Sequence, residues 1–166
     1  MMVKGQRDKP TFACDAMLGS LARWLRILGF DTLYFEDKAD TDILSSVGKR
    51  ILLTRDKELL QRAHRQGLKA FNPGTLRMRS MLQNLKKELQ ITYNLDPAQS
   101  RCSLCNSLLK SAKPDDVKDR VPPGSLSHHN KFWECISPEC RQVFWQGRHW
   151  RRIQQTLHEL LPSDNK

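Results

Sequence analysis

The chain has no apolar run approaching the roughly 18 residues that a membrane span needs. Its first ten residues, Met1 to Pro10, are charged and contain no apolar stretch of the kind a secretory leader carries. Acidic residues are also short, 18 against 28 Lys and Arg, leaving a formal net charge of +10. These absences exclude a membrane protein and point to an intracellular one, cytoplasmic or nuclear. The 166 residues, 39% of them hydrophobic, have room for one domain, or a small domain with a compact appendage. The positive excess is spread along the chain: residues 1–100 hold 17 basic and 11 acidic side chains, and residues 101–166 hold 11 and 7. That distribution describes a basic surface and not a basic tail, and polyanions are the partners such a surface attracts. Nucleic acid is the first to consider, with simple solubility as the plainer alternative.

Apolar periodicity divides the first ninety residues into alternating strands and helices. Thr11 to Cys14 reads as a buried strand, and Met17 to Leu28 places Met17, Leu18, Leu21, Trp24, Leu25 and Leu28 on one helix face, stopped by Gly29. Thr32–Phe35, Arg50–Thr54 and Leu68–Phe71 are further strands, separated by helices at Asp40–Val47 and Lys57–Gln66. A longer helix is expected from about Thr75 to Gln90. Strands alternating with helices at short spacing specify a small parallel-sheet α/β domain. After Leu95-Asp96-Pro97 the composition changes, and Arg148 to Leu161 reads as a closing helix with Trp150, Ile153, Leu157 and Leu160 on one face. The expected division is residues 1–97, 98–147 and 148–166.

Between Arg101 and Gln146 only 17 of 46 residues are apolar, four of them cysteines, too few to hold a fold without a staple. Cys102-x2-Cys105 and Cys135-x4-Cys140 supply one: two chelating pairs, the ligand set of a structural tetrahedral Zn²⁺. Four bound thiolates and the ion lower the net charge to about +8. His128 and His129 lie between the pairs, but the thiolates already fill the coordination sphere. Phe132, Trp133, Phe144 and Trp145 suggest ribbon strands whose aromatics either cover the metal or stack on bases. Cys14, in a core strand, is expected to be an ordinary buried thiol.

In so basic a chain, acidic residues at strand ends are informative. Asp15 follows the first strand and Asp56 the third, with Asp40 and Asp42 opening the helix between. The carboxyl edge of a parallel sheet is where α/β folds place their chemistry. Carboxylates converging there either protonate or hold a hard divalent cation, Mg²⁺ or Mn²⁺, that activates water toward phosphate. Taken singly, each Asp is equally a helix cap. A phosphotransfer site of the haloacid-dehalogenase type needs a second Asp where Met17 stands, and is set aside.

The run Cys14-Asp15-Ala16-Met17-Leu18-Gly19-Ser20-Leu21-Ala22-Arg23-Trp24-Leu25-Arg26-Ile27-Leu28-Gly29 resembles the opening of the Mut-seven C-terminal RNase family. So do Arg50-Ile51-Leu52-Leu53-Thr54-Arg55-Asp56 and the four-cysteine module followed by Trp145 and Gly147-Arg148-His149-Trp150. The resemblance spans residues 11 to 152. It implies a PIN-like RNase fold with a zinc ribbon attached, and a metal-dependent acidic edge at Asp15, Asp40, Asp42 and Asp56. Thr41 interrupts the acidic run that family members carry before the second helix, so either Asp40 or Asp42 can be the ligand. Arg23, Arg26, Arg55 and Lys57 flank that edge as candidate phosphate contacts. The expectation is a ribonuclease with structural zinc and catalytic Mg²⁺ or Mn²⁺, RNA as partner, and a protein partner open to the ribbon. A non-catalytic RNA- or ribosome-associated module is the alternative, and a small-phosphoester phosphatase the third.

Overall fold

The computed structural model describes residues 9–74 and 77–160. Four short strands, β1 (Phe12–Cys14), β2 (Thr32–Tyr34), β3 (Ile51–Leu53) and β4 (Ala70–Phe71), form an all-parallel sheet in the order β2-β1-β3-β4. The central strand β1 is buried along its whole length, which explains the unbroken apolar run Phe12-Ala13-Cys14. Its period of two splits the core. Phe12 and Cys14 face one side with Leu53, and Ala13 faces the other with Leu52.

Helices cover both faces. Helix α1 (Gly19–Ile27) buries Leu21, Ala22 and Leu25 against the first face, joined by α4 (Met78–Leu89) through Met81, Leu82 and Leu85. Helices α2 (Asp40–Ser46) and α3 (Lys57–Arg65) cover the second face with Ile43, Leu44, Leu59 and Ala63. The chain therefore runs outward from β1 to β2, then returns across the sheet to β3 on its other side, putting a topological switch point at β1 and β3. Gly29 ends α1 at φ +86°, where a Cβ would lie 2.7 Å from the Gln99 carbonyl oxygen, so the turn and the close approach both require glycine. The start of the expected helix at Thr75 falls outside the described residues.

A second, antiparallel sheet has the order β5-β6-β7, from β5 (Leu109–Ala112), β6 (Phe132–Cys135) and β7 (Val143–Trp145). Its own core is small: Val117, Val121, Phe132 and Val143. Two short helices that periodicity did not reveal, α5 (Pro114–Val117) and α6 (Pro123–His128), fill the stretch between the cysteine pairs. The closing helix α7 (Arg148–Leu160) returns to the α/β layer, where Ile153 and Leu157 join the core of α1 and α4. Leu161 lies outside the described residues, as does the side chain of Leu160. Among the described residues, no helix is long and apolar enough to cross a membrane.

Candidate functional site

The four cysteines that end or flank the ribbon strands come together although 38 residues separate the outermost two. Their four Sγ atoms all lie within 4.8 Å of one another, with Cys102 to Cys140 at 3.7 Å and Cys105 to Cys135 at 3.3 Å. Zn–S bonds of about 2.3 Å in a tetrahedron put sulfurs about 3.8 Å apart, so the donor set and its spacing fit zinc. His128 stays outside this cluster, its Nδ1 against the Gly124 carbonyl at 2.6 Å.

This cysteine module is docked on the α/β layer by polar contacts. Arg26 is central: its Nε donates to the Thr32 carbonyl at 2.9 Å, and its Nη1 to the carbonyls of Ser103 and Leu104 at 3.0 Å each. Thr32 N–H donates to Asn106 Oδ1 at 2.9 Å, and Asn106 Nδ2 to Asp31 at 2.7 Å. Asp31 also receives both Arg50 Nη1 and Nη2, at 2.8 and 3.1 Å. Burial works against the Asp31 anion, yet the bonds from Arg50 and Asn106 hold its pKa below the usual value. The expectation that Arg26 faces a nucleic acid is therefore corrected. Only 7% of it is exposed, and its guanidinium joins the knuckle between Cys102 and Cys105 to β2. Its position one turn after Ala22, on the margin of the apolar stripe, is the sequence signal that marked it.

The acidic edge forms at the switch point. Cys14 pairs with Leu53 in the parallel register, so Asp15 and Thr54 emerge side by side. The fully buried Thr54 hydroxyl donates to Asp15 Oδ2 and accepts from Asp56 N–H at 3.0 Å, linking the two strand ends through one side chain. Asp15 Oδ1 accepts from Met17 N–H at 3.1 Å and caps the short turn Ala16–Leu18. Burial raises the Asp15 pKa first, and the charges of Asp56 and Asp40 add to it against the Thr54 and Met17 bonds. Asp56 caps α3 through Oδ1, which accepts from Glu58 and Leu59 N–H at 2.8 and 3.0 Å. Asp40 Oδ2 pairs with Arg62 at 3.0 Å. Asp42 is exposed two positions further into α2.

The charges of Asp56 and Asp40 thus reach Asp15, while no three carboxylates among the described residues gather as tightly as the sulfurs. Asp56 Oδ2 and Asp40 Oδ1 have no hydrogen-bond partner among the described residues, and hard oxygens of this kind suit Mg²⁺ or Mn²⁺. Thr54 and Arg62 are the residues sequence reasoning missed. Thr54 was legible only once β1 and β3 were known to be neighbours. Arg23 and Lys57 are exposed and Arg55 half-buried. Arg23 lines a polar cleft of about 420 Å³ with Ser20, Tyr34 and Glu36, beginning at Ala16 and Met17 directly after Asp15. Cys14 is fully buried, and burial followed by the Asp15 charge keeps its thiol protonated, as expected of a core residue.

A family model for the Mut7-C RNAse domain matches residues 10–157, nearly the whole chain. The chain belongs to the Mut7-C RNase domain family. The match takes in both the acidic edge and the four-cysteine cluster, so this Mut7-C domain carries the two as one unit. Neither a curated protein nor a solved structure matches it.

Proposed function

We propose that this Mut7-C domain is a metal-dependent ribonuclease of PIN-like architecture, with a structural zinc ion held by Cys102, Cys105, Cys135 and Cys140. Its parts are a catalytic domain over residues 1–97, a zinc ribbon over 98–147 and a closing segment over 148–166. The observation that carries the reading is the buried Asp15 carboxylate at the switch point, raised in pKa by burial and by Asp56 and Asp40. A group so destabilised as an anion favours a cation beside it. Asp15, Asp56 and Asp40 would hold Mg²⁺ or Mn²⁺, with Asp42 at the outer margin. Bound there, such an ion supplies Lewis acidity and an activated water.

The chain's own residues do the rest. Thr54 fixes the Asp15 carboxylate by donating to Oδ2, and the Met17 N–H fixes the other oxygen. Asp56 is held in place by its cap on α3 through Oδ1, which leaves Oδ2 free of cap bonds. Arg23, Arg55 and Lys57 provide cations for the phosphates of an RNA strand lying along the edge, where full charge complementarity positions the backbone without reading bases.

The test is cleavage of labelled RNA with Mg²⁺, Mn²⁺ or neither, in wild type and Asp15→Asn. Loss of cleavage in the variant, with zinc content and the urea midpoint unchanged, is expected. Undiminished cleavage by Asp15→Asn overturns the mechanism. One observation favours the second reading, a non-catalytic RNA- or ribosome-associated module: Asp40 is already paired with Arg62 and Asp56 already caps a helix. Salt-sensitive RNA binding without metal-dependent cleavage would decide for it.

A further inference from the structure

The ribbon, α1 and α7 enclose a cavity of about 90 Å³ away from the acidic edge. Its walls include Ile27, Trp133, Phe144, Trp145, Trp150 and Ile153, with Ser100, Arg101, Ser103, Gln146 and His149 also bordering it. Trp133 and Phe144 are a directly opposed pair on β6 and β7, so both project to the same side of the ribbon. Gly147 helps admit the fourth ring. A Cβ there would come within 2.9 Å of Trp145 Nε1, so a larger residue would push the Trp145 indole from its seat.

Two features distinguish this cavity from a covered mini-core. Trp150 Nε1 is buried and has no hydrogen-bond acceptor, the sole such side-chain atom found among the described residues. A buried donor without a partner is costly. The surroundings, in contrast, are basic: Arg101 lines the cavity itself, and α7 begins with the exposed Arg148 and carries Arg151 and Arg152, also exposed. A second hollow of about 420 Å³ adjoins it, sharing Phe144, Trp145 and His149 and adding Arg148 and His129.

We propose that this cavity is a base-binding subsite for single-stranded RNA, resting for its ligand class on the ribonuclease reading above. Flat aromatic walls suit a nucleobase, which stacks with little regard to sequence. The Trp150 N–H is covered by neighbouring atoms, so a base reaches it by displacing the indole, and its edge then offers a carbonyl or ring-nitrogen acceptor that an aliphatic side chain from a protein lacks. The arginines at the start of α7 hold the flanking phosphates. At about 90 Å³ the space takes a flat ring or several waters, a single water needing about 10–15 Å³. The ribose stays outside.

The experiment uses the full zinc-loaded wild-type chain, ¹⁵N-labelled, without added Mg²⁺ or Mn²⁺ so that RNA survives. The sequence has 4 Trp, and the Trp150 indole N–H resonance is assigned by its loss in Trp150→Phe. The probes are an oligouridylate, the same ribose-phosphate chain without bases, and N-acetyl-leucinamide. The expected result is a saturable shift of the Trp150 resonance with oligouridylate alone, and binding on the order of 10-fold weaker for the abasic chain. Equal affinity for the abasic chain, or a Trp150 resonance unmoved by oligouridylate, overturns the proposal. A shift with N-acetyl-leucinamide but not with RNA also overturns it, and assigns the cavity to a protein side chain. A Trp150 shift beside failed metal-dependent cleavage supports the subsite while removing the nuclease reading, so the two fail separately.

Discussion

Replacing Arg26 by Met keeps a long side chain of similar bulk and removes the donors that join the cysteine knuckle to the α/β layer. Three carbonyls lose a partner: Thr32, whose bond to Nε is buried, and Ser103 and Leu104, whose bonds are partly buried. A buried acceptor left unsatisfied costs about 1–3 kcal/mol, and a hydrogen bond from a charged donor contributes about 1.5–3 kcal/mol. Water reaches the two knuckle carbonyls, so the sum is discounted to about 3–5 kcal/mol. For a chain of this length that lowers Tm by on the order of 10 °C. The cation also offsets a tetrathiolate zinc site, whose net charge is negative. Arg26→Met is therefore expected to speed zinc transfer to a chelator as well as to lower the urea midpoint. Arg23→Met, at an exposed position on the same helix, is the control and should change stability by less than about 0.5 kcal/mol. The reasoning is refuted if Arg26→Met keeps the wild-type midpoint and zinc-release rate while RNA binding falls, because Arg26 would then be acting on phosphate from the surface.

Other outcomes follow from the same contacts. Asp56→Asn retains an N-cap and should lose metal-dependent cleavage with little change in urea midpoint, whereas Asp56→Ala also loses the cap and about 1 kcal/mol. Full activity of Asp56→Asn would remove that residue from the acidic site. The depressed pKa of Asp31 contributes stability that is fully present above the ordinary Asp value of 3.8 and is lost as pH falls through its lower folded value. Urea unfolding across that window should show a steeper acid loss in wild type than in Asp31→Asn, and parallel curves would refute the linkage. Zinc removal by a chelator should abolish amide protection in β5, β6 and β7, whose core has four buried residues, before it reaches β1 and β3. Simultaneous loss in both sheets, read by hydrogen exchange, would show that they open as a single unit.

Much of the fold was legible because it depends on neighbours close in the chain. The alternation of two- and three-residue strands with helices follows from apolar spacing and from the glycines after α1, α2 and α3, and every expected strand of the parallel sheet is present. The cysteine pairs announced themselves by spacing, and their sulfurs converge. Helices α5 and α6 were not legible, since segments of four and six residues carry too little period to register. Aspartates 15 and 56 stood out by position after a strand, but their coupling through Thr54 did not, since it needs β1 beside β3.

The roles of charged and aromatic side chains divide along the same line. Composition and spacing alone determined a basic α/β chain, four soft ligands and an acidic strand edge, because those depend on residue type and local order. Whether a given cation meets water or the protein was decided by the tertiary structure. Arg26 looks like its exposed neighbour Arg23 in one dimension, yet its partners Ser103 and Leu104 are 77 and 78 positions away. Trp150 likewise reads as one apolar residue on a helix face until β6 and β7 close over it and leave its N–H without an acceptor. The energy of a charge or a buried donor is set by what stands within a few ångströms, and the folded chain brings that company from far along the sequence.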